Sequence, residues 1–504
     1  MKIIKKVSKK EFHDFLYYGM NLEDKNLYEE LYDSQQFIFQ FSGNTSSRMI
    51  RQVKPKNFEE VIAVNAISRP GSSSMLEPYI IAKDTGKRKY PKVVADLFEE
   101  TYGTILFQEQ VMTAFREIAG CDAIETNKVR GLLKKLGKAN PKQEDVDKWN
   151  NVYVKKFEEG CRRLNLPEKD IQLILKDIVQ LSRYSFNRSH AMSYSYVSVI
   201  TVYLSKYFRN YYYSASLTYD ASKKDELKDS IKKVEERGYK INPPDVNTSS
   251  LHFSPEGMTI NFGLNDIKGV GEQPVIDLIK NRPYSSVIDF ITKNIDTSVN
   301  KRIVTALIGG GAFDNLIDGN RTYYTNIIEK FYLKKKSTKT IPLLLEKWDE
   351  AVEETEKVET TPEEYMNYED TYLGGQFFHN AFSAVADKIE KLYSKGYCLR
   401  DFEEIRQKRL PKQYCFVYVN SYRNHTDKNG NAMCFMNIED RNGEKADIPI
   451  FASYWKYCGE RFSGEGFYLM DLYVAEEDKI MFGSSRWIKD PNTIKNMMAK
   501  IPNV

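Results

Sequence analysis

The apolar residues of this 504-residue chain change period at Tyr414. Upstream they recur at helical spacing. Downstream they alternate, in YCFVYVN, AMCFMNIED, ADIPIF, FYLMDLYVA and KIMFGSS. A period of two places alternate side chains on one face of a strand. Asn429-Gly430 and Asn442-Gly443 supply tight turns. A segment cannot satisfy both periods, so the chain must divide. The five short runs predict a small β-barrel of OB type over 411–490, with 491–504 as a tail.

The upstream part reads as helices. VVADLFEETYG, EQVMTAFREIAG, residues 127–138, EDVDKWNNVYVKKFEEGCRRL and EKDIQLILKDIVQLSRY all carry i, i+3/i+4 apolar spacing. SRPGSSS and INPPDVNTSS read as loops. Helical domains are expected over 1–222 and 223–335, the second rich in glycine turns. KKKSTKT and then EKWDEAVEETEKVETTPEE swing from basic to acidic, which predicts a charged linker and helical connector over 336–410. The chain is therefore mainly α with a C-terminal β-barrel, and its length suits roughly three domains.

Composition narrows the function classes. Lys and Arg number 74 against 70 Asp and Glu, a net charge of +4. So small an excess makes no global case for nucleic acid, and any such case rests on local patches. The six cysteines form no CxxC pair and no His/Cys cluster, as expected of reduced thiols rather than structural zinc. MKIIKKVSKKEFHDF lacks the apolar core of a signal peptide, and no apolar run approaches the ~20 residues that span a bilayer. A cytoplasmic protein without a membrane partner is expected.

Four stretches carry chemistry. In IKGVG (267–271), followed by EQPVIDLIKN, a Gly-x-Gly turn opens a helix. Such a turn presents backbone N–H groups to a phosphate, with Lys268 beside it, and this is helix-hairpin-helix logic. The alternative is an ordinary glycine turn. NKRIVTALIGGGAFD (300–314) repeats the pattern, with Lys301 and Arg302 at its start. The basic run 128–138 sets Arg130 and Lys134 on one helix face, able to serve a triphosphate or a DNA backbone, or simply to face solvent. In YSFNRSHAMSYSY (184–196), a helical reading aligns Arg183, Asn187, His190 and Tyr194, either as a ligand-binding face or as satisfied polar groups on a core helix. The only Asp-x-Asp is Asp145-Val-Asp147. On a helix its members diverge by roughly 200°, which suits helix surface better than a two-metal site.

Taken together, several stretches resemble one family. IFQFSGNTSSRMIRQVKPKNFEEVIAVNAISRPGS, FEETYGTILFQEQVM, YSFNRSHAMSY, INPPDVN, INFGLNDIKGVG, NKRIVTALIGGGAFD, YLGGQFFHNAF and the barrel follow the order seen in C-family bacterial replicative DNA polymerases. The resemblance is to the alpha subunit of DNA polymerase III and covers about residues 30–485. It implies polymerase fingers over 1–222, a tandem helix-hairpin-helix region and an OB fold. That family's palm, with three metal-binding aspartates, is not among the matching stretches. The resemblance therefore implies the C-terminal half of a split polymerase, as a phage or other mobile replicon would encode.

Carried over position by position, Arg130 matches the first of two fingers arginines that meet the incoming triphosphate, and Gly131 stands where the second would be. Arg188 replaces a usual lysine and keeps its charge. Asn187, Ser189 and His190 match directly, whereas Ser185 replaces a glycine. The expected nucleotide-binding residues are Arg130, Lys134, Asn187, Arg188, Ser189 and His190. The expected DNA-binding residues are Lys135, Lys268, Gly269, Val270, Gly271, Lys301 and Arg302. No catalytic residue and no metal ligand are expected in this chain. Two Mg²⁺ ions would be held by the dNTP and by a palm-containing partner chain. Primer-template DNA is an expected partner. A sliding clamp is a further candidate, although Thr340-Ile-Pro-Leu-Leu-Leu345 lacks the Gln and Phe of the family's clamp peptide and reads as a helix start. The rival function is that of a non-catalytic DNA-binding accessory protein derived from such a polymerase. A nuclease is disfavoured, because no carboxylate cluster is legible.

Overall fold

The computed structural model describes residues 20–33, 35, 37–69, 72–138, 140–182, 187–331, 340–380, 382, 400–411, 413–462, 464–475 and 478–483. The expectations made for Arg183, Ser185, the lysine run 334–339 and the tail 491–504 lie outside these residues. The chain divides into two compact units. The first holds residues 1–217, 233–239 and 255–259, and the second holds 218–232, 240–254 and 260–504.

The first unit is helical. Its main helices are α1 (Lys25–Asp33), α2 (Asn44–Val53), α3 (Phe58–Ile67), α4 (Leu76–Thr85), α5 (Gln108–Glu117), α6 (Ala123–Leu136), α7 (Gln143–Lys148), α8 (Lys155–Arg163), α9 (Glu168–Ser182), α10 (Arg188–Tyr207) and α11 (Arg209–Asp220). From Glu60 to Ile67 every residue of α3 is buried, so this helix runs through the core. The charge this buries is neutralised locally: Glu60 accepts from Lys83 Nζ and Tyr102 OH, each at 2.6 Å. α10 packs on α3 and α1.

Two helices depart from the sequence expectation. VVADLFEETYG is not one helix: a short turn at Lys92–Ala95 runs into a tight turn over Asp96–Thr101, broken at Phe98, whose ring is buried. The chain reverses there through Gly103 at φ +76°, where a Cβ would stand 2.8 Å from that of Ala95. Residues 143–163 are continuous but contain one wider π turn at Trp149–Val154. Trp149, Tyr153 and Phe157 all meet Phe115, with ring centroids 5.6, 6.4 and 5.0 Å away. The widened turn accompanies an aromatic cluster that an unbroken α-helix would aim differently.

Of three short strands, β1 (Lys240–Asn242) falls in the second unit, β2 (Ser254–Glu256) mostly in the first and β3 (Thr259–Asn261) mostly in the second. The helices of the second unit include α12 (Glu272–Lys280), α13 (Lys301–Gly309), α14 (Arg321–Lys330), α15 (Ile341–Glu353) and α16 (Pro362–Tyr372). The acidic stretch is thus two helices with buried anchors, Leu344 and Trp348 on α15 and Glu369 on α16. The chain enters α15 at Thr340, with Pro342 in its first turn, as a helix start would.

The C-terminal strands are β4 (Gln413–Thr426), β5 (Ala432–Glu439), β6 (Lys445–Ile450), β7 (Gly466–Val474) and β8 (Ile480–Phe482). They form an antiparallel sheet in the order β6–β5–β4–β7–β8, and the outer strands β6 and β8 approach each other, so the sheet nearly closes. β4 makes this possible. Its first half pairs with β7, its second half with β5, and the register shifts between Val419 and Ser421. A bulge there bends one long strand across both halves of the barrel. The interior carries the expected alternation, with Cys415, Val417, Val419, Cys434, Met436 and Ile438 buried. Helix α17 (Ala452–Cys458) between β6 and β7 was not expected.

Candidate functional site

The expected residues fall into two groups, one in each unit. In the first unit, Asn187 has extended backbone angles (φ −73°, ψ 124°), and its Oδ1 accepts the His190 N–H at 2.9 Å. It therefore caps α10 and does not belong to it. The face expected to run from Arg183 starts instead at Arg188, and within it the rings of His190 and Tyr194 lie 4.2 Å apart. Asn187, Ser189 and His190 are exposed and Arg188 is half-buried, which removes the core-histidine alternative. The N-terminus of a 20-residue helix carries partial positive charge, here reinforced by Arg188.

Two carboxylates that sequence reasoning missed meet this cap. Glu109 Oε1 accepts from Asn187 Nδ2 at 2.6 Å and Oε2 from the Arg188 N–H at 3.0 Å. Glu59 accepts from Arg188 Nη2 at 2.8 Å. These partners lie 78 to 129 residues away in sequence, and no local pattern announces such pairings. Glu109 fixes which way the Asn187 amide points, because its NH₂ must face the carboxylate and its oxygen the helix. A polar cleft of about 300 Å³, lined by Gln40, Asn44, Asn65 and Arg69 among others, was also not foreseen. Asn65 ties the cleft to α10 through Ser195 Oγ at 3.2 Å.

Arg130 and Lys134 are exposed on α6. A Cβ built at Gly131 meets nothing within 4 Å, so a side chain there would enter open space. Lys135, expected to contact DNA, is exposed and bonds Asp145 at 3.0 Å. Asp145 is buried, which corrects its reading as helix surface, while Asp147 accepts from Gln143 at 2.9 Å. The two carboxylates take separate partners, as their helical spacing requires, and do not fit a shared metal ion. Among the described residues, no group of three or more His, Cys, Asp or Glu stands together as metal ligands would.

In the second unit, Lys268, Gly269, Lys301 and Arg302 line one groove of about 800 Å³, together with Glu329 and Tyr372. Gly269 has φ +91°, and a Cβ on it would stand 3.8 Å from Arg302 Nε, so the turn lies against that guanidinium. The Lys268 N–H donates to Tyr372 O at 2.7 Å and the Val270 N–H to Ile267 O at 3.2 Å. Gly269 and Gly271, the latter capping α12, are then the positions whose N–H groups the turn can offer an anion. Val270 is buried and anchors the turn from within. Lys301 Nζ is steadied by Glu329 O at 2.7 Å. Burial raises the Tyr372 phenol above its ordinary value, with lesser contributions from Tyr368 and Glu329, so it remains a donor.

The second glycine run differs from IKGVG. Gly309 lies under the Tyr372 ring, where a Cβ would come within 2.3 Å, and Gly311 lies against the Arg321 guanidinium, where it would come within 2.4 Å. The N–H groups of Gly310 and Gly311 bond Ala306 O and Ile308 O. These glycines serve close packing, and this unit contributes Lys301 and Arg302 from the other end of α13.

Comparison with known proteins places names beside these two regions. Residues 1–159 match the bacterial DNA polymerase III alpha subunit finger domain, and residues 238–323 match a helix-hairpin-helix motif. DNA polymerase III subunit alpha of Treponema pallidum is 29% identical over 458 residues, 85% of this chain and 37% of that protein. The Aquifex aeolicus protein of the same name is 31% identical over 326 residues, covering 62% of this chain and 27% of its own length. The Bacillus subtilis one is 26% identical over 462 residues, covering 89% and 40%. The chain spans two fifths or less of the length of these relatives.

Proposed function

We propose that this chain, which carries the finger and helix-hairpin-helix domains of a bacterial DNA polymerase III alpha subunit, is the nucleotide- and DNA-gripping part of a split replicative polymerase. In this reading the fingers extend through about residue 222, a cytoplasmic palm-containing chain brings the metal-binding carboxylates, and the OB barrel takes single-stranded template. Its strongest support is the exposed N-terminus of α10, where a guanidinium, a hydroxyl and an imidazole from Arg188, Ser189 and His190 stand together beside the Asn187 cap. Arg130 and Lys134 would add charge to the same triphosphate. Lys268, Gly269, Gly271, Lys301 and Arg302 would hold the duplex through its phosphates, indifferent to sequence. Two Mg²⁺ ions would lie between dNTP and partner. Among the described residues, no three His, Cys, Asp or Glu side chains stand together to hold them.

The test is single-nucleotide insertion by the chain combined with its palm-bearing partner. Arg188→Ala, His190→Ala and Arg130→Ala should each raise the apparent dNTP KM or lower kcat. The loss should be on the order of 10- to 100-fold, the value of a charge-assisted phosphate bond, with duplex affinity unchanged. The chain alone should extend no primer. The accessory-protein reading draws on Glu59 and Glu109, which already occupy donors of Arg188 and Asn187. Wild-type insertion by a folded Arg188→Ala protein would favour it.

A further inference from the structure

The start of α2 is left open. Gly43 precedes the helix with extended backbone angles (φ −77°, ψ 148°) and has no side chain to cap it. The Ser47 N–H returns to Gly43 O at 2.9 Å, but among the described residues nothing accepts from the N–H groups of Asn44, Thr45 and Ser46. Three free donors at the partially positive end of a ten-residue helix suit an anion. A side chain from another helix faces the same space. Asn65 of α3 lines the cleft of about 300 Å³ onto which these residues open, and it is only 3% exposed. Its Nδ2 donates to Ser195 Oγ at 3.2 Å and lies 3.5 Å from Ala191 O. A carbonyl oxygen only accepts, so Nδ2 belongs on the α10 side and Oδ1 turns toward the cleft. Among the described residues no group donates to that oxygen. A buried amide oxygen left without a donor costs free energy that a ligand in the cleft recovers. Arg69 lines the cleft as well, and among the described residues no carboxylate does.

We infer that this cleft binds a phosphate group that carries a hydroxyl, as inorganic phosphate or a phosphate monoester does. The free N–H groups and Arg69 take its charged oxygens. Asn65 Oδ1 is an acceptor, so it takes an oxygen that bears a proton. A phosphate monoester keeps that proton on about half of its molecules near pH 6. Sulfate and the phosphodiesters of a DNA backbone have none, and the site discriminates against both. The cleft also has room to spare. At ~30 Å³ per oxygen, four phosphate oxygens take about 120 Å³, under half of it. The remaining space suits the group esterified to the phosphate. The inference is independent of the nucleotide reading above, because none of Arg130, Lys134, Arg188, Ser189 or His190 lines this cleft.

Isothermal titration calorimetry of the full chain, at about pH 6 and constant ionic strength, compares inorganic phosphate, ribose 5-phosphate and sulfate. Both phosphates should bind, and sulfate should bind about tenfold or more weakly, since one charge-assisted hydrogen bond is at stake. Asn44→Pro removes one donor. Proline fits the first helical position, and the extended angles of Gly43 suit the residue before it, so the helix should persist. Its phosphate affinity should fall about tenfold at an unchanged melting temperature, whereas Asn44→Ala keeps the N–H and should bind as wild type does. No saturable binding of either phosphate, sulfate bound as tightly, or an Asn44→Pro protein that binds as well as Asn44→Ala would overturn the inference. A single-stranded oligonucleotide with and without a 5′-phosphate separates the sources. If the phosphate strengthens its binding and Asn44→Pro removes the gain, the ligand is a strand end. If ribose 5-phosphate binds and the strand's phosphate adds nothing, the ligand is a small molecule. Either result supports the site and assigns its source.

Discussion

Removing Lys268 and Arg302 together should change how duplex affinity depends on salt. The groove presents three cations, Lys268, Lys301 and Arg302. Each phosphate neutralised contributes about −0.9 to the slope of log K against log salt, so the groove can account for at most about −2.7. Between roughly 50 and 200 mM salt that is about a 40-fold loss of affinity, and with Lys301 alone remaining the loss shrinks to about 3.5-fold. Fluorescence anisotropy with two duplexes of unrelated sequence reads both quantities, and both duplexes should behave alike. The glycines separate turn geometry from charge. Gly271 has φ −91° and its added Cβ would stand 3.7 Å from Pro274 Cδ, so Gly271→Ala keeps the fold and reports on phosphate approach. Gly269 has φ +91°, where alanine costs about 1–2 kcal/mol of backbone strain, so Gly269→Ala should also lower the melting temperature. An unchanged slope in the Lys268→Ala, Arg302→Ala double variant would refute the groove as a phosphate site.

Gly131→Arg places a cation one residue from Arg130, in open space on a helix; it should raise stability by up to ~1 kcal/mol and lower the dNTP KM of the reconstituted enzyme, and a raised KM would count against α6 as a triphosphate surface. Arg321 is 1% exposed and bonds both Asp314 oxygens (2.9 and 2.6 Å) and Gly309 O. Arg321→Ala should therefore cost about 3 kcal/mol, the low end for a broken buried pair because Asp314 keeps some water, and a denaturant midpoint close to wild type would contradict this. Burial pushes the Asp440 carboxyl up to about 6, against the pull of the backbone N–H groups of Phe402, Glu444 and Asn442. Its proton then stabilises the folded barrel below about pH 4, and that stability is lost as pH rises through 6. The advantage of wild type over Asp440→Asn should fall by up to ~3 kcal/mol across this window, and a gap in urea melts that does not vary with pH would exclude it.

Much of the fold was legible because it depends on local periodicity. Alternation in YCFVYVN and AMCFMNIED, with two Asn-Gly turns, sufficed to find the strands of the barrel, since apolar spacing and turn chemistry act within a few residues. IKGVG was legible for the same reason: glycines at fixed offsets require a turn whatever surrounds them, and Gly269 does take a positive φ. The GGG of 309–311 shows the limit. In sequence it looks like a second phosphate turn, yet Tyr372 and Arg321, 63 and 10 residues further along from Gly309 and Gly311, occupy the space its missing side chains leave. The π turn at Trp149 and the break at Phe98 were likewise illegible, because the aromatic core they serve is assembled from distant segments.

The sequence by itself determined where helices give way to strands, which turn needs glycines at Gly269 and Gly271, and which residues near 130 and 190 carry the polar groups. Only the tertiary structure decided how those groups are engaged. It set Lys135 on a buried Asp145, Glu109 and Glu59 on the cap of α10, Lys301 and Arg302 beside Gly269, and Ser195, Ser198 and Ser205 of α10 inward. The physical reason is range. Backbone propensity and hydrophobic period act over a turn or two, whereas a charge pair or a packed face depends on groups brought together from anywhere in the chain.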